Sequence, residues 1–84
     1  MASRTMSASD FEEAILRLTR DVAFLGGIKQ RLNLSGILCE RPEIVETING
    51  LISQGQLRVV SHGDDNFAVQ ITPAGEQRLN PPKA

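Results

Sequence analysis

Hydrophobic spacing changes abruptly at Gly55, and two different kinds of structure must meet there. Before it, Ile44, Val45, Ile48, Leu51 and Ile52 recur at short helical intervals and build one apolar face. Pro42 falls in the first turn of that helix, where the missing N–H costs nothing, and Glu43 and Glu46 load its N-terminal end. After Gly55 the segment Leu57 to His62 carries the β-branched pair Val59-Val60. Gly63-Asp64-Asp65-Asn66 then has the composition of a turn, and Phe67, Val69 and Ile71 alternate beyond it. That pattern is a β-hairpin. Gly55 is the residue expected to take the left-handed backbone that reverses the chain from helix to strand. Past the hairpin, Thr72 is placed to cap a last short helix over 73–79, with Pro73 at its first position and Glu76 near the capping-box site.

The first half is less regular. Ser9 or Asp10 is the expected cap of a first helix, with Glu12 and Glu13 in its first turn. Phe11, Ile15, Leu18, Val22 and Leu25 make its apolar stripe, widened by Ala14, Leu16 and Phe24, and Gly26-Gly27 reads as its end. Residues 28–38 leave two readings open. Ile28, Gln30, Leu32 and Leu34 alternate with Lys29, Arg31 and Asn33 as in a strand, while Ile28, Arg31 and Leu32 also suit a short helix. Ser35-Gly36 then interrupts the stretch, which predicts an irregular or shortened segment ahead of the 41–54 helix. Small polar residues over 1–8 predict a disordered tail, and prolines after Asn80 predict another over 80–84. With 84 residues in all, one domain over 9–79 is expected.

The order helix, turn, helix, hairpin, helix is an α+β arrangement, the winged helix-turn-helix: a three-helix core, a β-hairpin wing and a short C-terminal helix. Residues 41–57 (RPEIVETINGLISQGQL) resemble the recognition-helix segment of transcriptional regulators of the MarR, PadR and ArsR type. There an Arg-Pro or Ser-Pro start leads through apolar positions to a Gly-x-Leu at the wing. Residues 71–79 (ITPAGEQRL) are similar to the Leu-Thr-x-x-Gly start of the helix that follows the wing in the same regulators. The resemblance implies a DNA-binding regulator. Its recognition helix over 41–54 enters the major groove, its wing over 57–71 meets the duplex alongside, and it acts as a dimer.

Charge pulls the other way. Nine Lys and Arg against ten Asp and Glu leave a formal net charge of −1, whereas a duplex binder usually carries a basic excess. Three Phe with no Trp or Tyr are too few rings for a base-stacking platform, so single-stranded nucleic acid is disfavoured and the core must be aliphatic. The lone cysteine, Cys39, excludes an intramolecular disulfide and a multi-cysteine zinc site. It reads either as a buried structural residue or as a thiol activated by the helix that follows it. His62 is the one histidine and has no evident Ser or Cys partner, and neither a phosphate-cradling glycine loop nor metal-ligand spacing is present. Catalytic residues, metals and cofactors are therefore not expected. No apolar run reaches the ~20 residues of a membrane span, and the start lacks a signal-peptide core, which predicts a cytoplasmic protein.

The candidate DNA-contacting residues are Arg41, Glu43 and Thr47 on the recognition helix, followed by Arg58 and Asn66 in the wing. Arg41 suits a guanine edge, and Thr47 a thymine methyl or a phosphate. Glu40, Glu43 and Glu46 recur every third position and are expected to share a face. They complement the helix dipole, contact a protein, or accept from cytosine. Asp64 and Asp65 make the wing tip acidic. A second basic patch comprises Arg17 and Arg20 on the first helix, with Lys29 and Arg31 on one face if their segment is extended, offset by Asp21. It suits phosphates, an acidic partner, or simple solvation. The expected partner is double-stranded DNA. The alternative is an unidentified protein, the winged helix serving as an interaction or assembly module. The breadth of the first apolar stripe also suggests a homodimer.

Overall fold

The structure is a computed structural model describing residues 7–63 and 66–80. Along the chain lie α1 (Ala8–Leu18), β1 (Ala23–Phe24), α2 (Leu25–Leu34), α3 (Arg41–Ser53), β2 (Leu57–His62), β3 (Phe67–Ile71) and α4 (Pro73–Leu79). The strands form one antiparallel sheet in the order β1-β3-β2. Phe11, Ile15 and Leu16 of α1, Ile28 and Leu32 of α2, and Ile44, Ile48 and Leu51 of α3 meet in one core, which Leu57, Val69 and Ile71 close from the sheet. Each such side chain contributes roughly 1.5–3 kcal/mol by leaving water, so these positions decide how the three helices pack.

The C-terminal half follows its local signals. Gly55 has φ +77°. Its N–H donates to the Ile52 carbonyl at 2.9 Å and the next N–H, of Gln56, to the Leu51 carbonyl at 2.9 Å, so α3 ends in a Schellman motif. Thr72 caps α4 by accepting from the Gly75 N–H at 3.2 Å, and its hydroxyl donates to the Gly55 carbonyl. The Thr72 N–H reaches the Gln56 carbonyl at 3.0 Å. Gly75 is required by contact rather than by backbone angle: a Cβ there would land on the Gln56 carbonyl oxygen and the Ile71 side chain. Thus α4 is docked directly on the α3–β2 turn.

The N-terminal half corrects several expectations. Ser7, not Ser9 or Asp10, caps α1, its hydroxyl accepting from the Asp10 N–H at 3.1 Å. The helix stops at Leu18, well short of the glycine pair. The buried Thr19 hydroxyl turns back to the Ile15 and Leu16 carbonyls (3.1 and 3.0 Å), and the Thr19 carbonyl accepts the Ile71 N–H at 2.8 Å. The chain then joins the sheet, pairing Ala23 with Val69 and Phe24 with Ala68. Val22 and Phe24, expected in the helical stripe, are consequently 46% and 51% exposed. Gly26-Gly27 terminates nothing. Both lie in the first turn of α2, and neither has positive φ, the geometry that makes a glycine a stop signal.

Residues 28–34 are helical. A strand would bury Leu34 with Ile28 and Leu32; instead Leu34 is 79% exposed while the other two, one helical turn apart, are buried. Gly36, φ +88°, is the helix end rather than an interruption. The Gly36 N–H donates to the Asn33 carbonyl at 3.0 Å and the Ile37 N–H to the Leu32 carbonyl at 2.9 Å, a second Schellman motif. The first half of the helix-turn-helix is therefore a full ten-residue helix, not a shortened one. Apart from Ser7, Ala8 and Asn80, the tails expected over 1–8 and 80–84 lie outside the described residues, as do Asp64 and Asp65 of the wing tip.

Candidate nucleic-acid interface

The core fixes which side of α3 meets solvent. Because Ile44, Ile48 and Leu51 point inward, Glu46, Asn49 and Ser53 make the exposed face, with Arg41 exposed at the first helical position. Glu43 and Thr47 sit on the flank instead. Both are half-buried and line a cleft of about 410 Å³ facing Ala8, Phe11 and Glu12 of α1. The Thr47 hydroxyl donates to the Glu43 carbonyl at 2.9 Å, so its proton is already committed to the helix backbone. The single face expected for the three glutamates is divided. Glu40 approaches Lys29 across the α2–α3 junction (3.8 Å), whereas Glu43 and the more exposed Glu46 both border the cleft against α1. What α3 presents to solvent is therefore mixed polar, with one outward carboxylate and Arg41 at its end.

In the wing, Leu57 pairs with Ile71 on the buried side of the sheet, so the next pair, Arg58 and Gln70, faces the other way. Arg58 Nη2 donates to Gln70 Oε1 at 3.0 Å, and Gln70 Nε2 donates to the Arg20 carbonyl at 3.3 Å. Asn66 shapes the turn: its carbonyl accepts the Gly63 N–H at 2.7 Å and its Oδ1 the Phe67 N–H at 3.1 Å. A register shift between Val59 and Ser61 bends β2, and His62 stacks on Phe67 with ring centroids 6.3 Å apart.

The structure divides the second basic patch. Arg17 pairs with Glu13 at 3.7 Å and Lys29 with Glu40 at 3.8 Å. Lys29 and Arg31 do not share a face, since residues two apart on a helix diverge. Arg20 lies beyond the end of α1, where its backbone carbonyl accepts from Gln70 of β3. Cys39 is buried, its thiol 3.7 Å from the Ile37 carbonyl and 4.0 Å from Asn33 Oδ1.

Two features escaped sequence reasoning. Arg78 of α4 ties distant elements together: it reaches Glu12 Oε1 at 2.7 Å, Ser9 Oγ at 2.9 Å and Gln56 Oε1 at 2.9 Å, with Glu13 at 3.9 Å. No local pattern announces this, because Ser9 is 69 positions away. The other is a pair of leucines beside the α2–α3 turn, Leu34 at 79% and Leu38 at 69% exposure. In the strand reading Leu34 shares a face with Ile28 and Leu32, which are buried. Among the described residues there is no group of three His, Cys, Asp or Glu able to hold a metal, and no helix is long and apolar enough to cross a membrane.

Three helices around one core, the second and third joined by a tight turn, then a hairpin wing and a closing helix: the fold is a winged helix-turn-helix. Among solved structures it is similar to RosR of H. salinarum in crystals grown from NaBr. The TM-score is 0.75 at 15% identity, over 94% of this chain and 72% of that one. It is also similar to the RosR–S1 complex structure, with a TM-score of 0.73 at 15% identity over 89% and 71% of the two chains. No protein-family model and no curated protein matches the sequence.

Proposed function

We propose that this chain is the DNA-binding module of a transcriptional regulator, non-enzymatic and working in the cytoplasm on double-stranded DNA. The observation that carries the reading is the joint exposure of the outer face of α3 and of Arg58, on the two elements with which a winged helix grips a duplex. In this reading Arg41 approaches a base edge or phosphate at the N-terminal end of α3. Asn49 and Ser53 follow along the groove, Arg58 meets the backbone from the wing, and Asn66 holds the wing turn in shape. Glu43 and Thr47 act from the flank, setting how α3 leans on α1. A second copy would double the contacts of a small module, which is why a homodimer belongs to the proposal.

The test is fluorescence anisotropy with a random-sequence duplex at low and high salt. A dissociation constant of roughly 1–100 µM is expected near physiological salt, tighter at low salt and weakening steeply as salt rises. Arg41→Ala and Arg58→Ala should each reduce the salt slope by about one. Absence of binding at low salt overturns the reading.

A second reading, a winged helix used for protein contact, is favoured by Leu34 and Leu38. Two leucines this exposed beside one turn are an apolar feature that a duplex would not cover.

A further inference from the structure

Gln70 lies between two arginines that are far apart in sequence. It accepts from Arg58 Nη2 at 3.0 Å and donates to the carbonyl of Arg20 at 3.3 Å. Because Arg20 immediately follows Thr19, whose carbonyl takes the Ile71 N–H at 2.8 Å, this chain of bonds ends on the core rather than on the wing tip. An exposed arginine on an edge strand ordinarily samples many rotamers, and fixing it on binding costs side-chain entropy. Here one of the five guanidinium donors is spent on holding the group in place, which leaves Nη1 and Nε free of that bond to meet an anion.

We infer that Gln70 is a positioning residue: it holds Arg58 at the wing root as a preset contact to a backbone phosphate of duplex DNA. The inference rests on the DNA-binding reading and adds to it a residue that touches no nucleic acid itself.

A double-mutant cycle on the full chain tests it, with duplex affinity measured for wild type, Arg58→Ala, Gln70→Met and the double variant. Gln70→Met keeps length and removes both bonds; Gln70→Thr, a good strand former, serves as a second variant should the first lose folded signal. The expected result is an approximately three-fold loss of affinity for Gln70→Met with an unchanged salt slope, and less than about 1.5-fold further loss when the same change is made in Arg58→Ala. Arg58→Ala alone should lower the salt slope by about one. Equal losses in both backgrounds, or no loss in either while wild type binds, overturn the positioning role and leave the DNA reading standing. If wild type itself fails to bind at low salt, the DNA reading falls and this inference with it.

Discussion

The two ends of α3 are held in opposite ways. At its C-terminal end the α3–β2 turn is clamped by α4. Thr72 bonds to the Gly55 and Gln56 carbonyls, Gly75 packs flush against the turn, and Arg78 links Gln56 to Ser9 and Glu12 of α1. At its N-terminal end Glu40 makes no side-chain cap, the turn before it is closed by backbone bonds at Gly36 and Ile37, and the exposed Lys29–Glu40 pair spans that turn. The braced end fixes the angle between helix and wing, and the other end leaves Arg41 and Glu40 at the surface. A duplex reader needs that division, because base contacts come from the N-terminal part of the recognition helix while its orientation must be set elsewhere.

Gly75→Ala should break the braced end most severely. The gain in helix propensity, about 1 kcal/mol, is smaller than the cost of forcing a methyl into the Gln56 carbonyl and Ile71. A net loss of about 2 kcal/mol, read as a lower urea midpoint, is expected, and unchanged stability would mean that α4 rests on the turn only loosely. Arg78→Met should follow, with a loss of about 1–2 kcal/mol, since Arg78 and Glu12 are mostly sheltered and the change strands the Glu12 carboxylate and the Gln56 amide oxygen. At the other end, Leu34→Ser with Leu38→Ser should change stability by less than about 0.5 kcal/mol. A large loss there would show that the leucines pack rather than wait at the surface.

The same two ends differ in how well sequence reports them. Elements from Arg41 onward are governed by near neighbours: the Pro42 start, the Gly55 stop, the alternation of Phe67, Val69 and Ile71, and the Thr72 cap are all read within a few residues of where they act. The first half is decided at a distance. The chain leaves α1 at Thr19 because β3 offers it a strand partner, and nothing in residues 19–25 states that partner's existence. An apolar spacing that runs through Leu18, Val22 and Leu25 then continues by coincidence across a helix end and a short strand. Gly36 ends a helix, but the alternation ahead of it keeps a strand reading equally open in sequence. In the candidate site, Arg41 and Arg58 were legible as exposed charges, whereas the flank position of Glu43 and Thr47 depends on where α1 packs. Gln70 and Arg78 gain their partners only through the fold.

The most direct test is to follow backbone amide shifts of the isotope-labelled chain by NMR while a random-sequence duplex is added at low salt. The largest changes should fall on Arg41 to Ser53, on Arg58 and on Gln70, with little change at Leu34 to Leu38. Changes centred on Leu34 and Leu38, or none anywhere at a duplex excess, would contradict the DNA-binding reading.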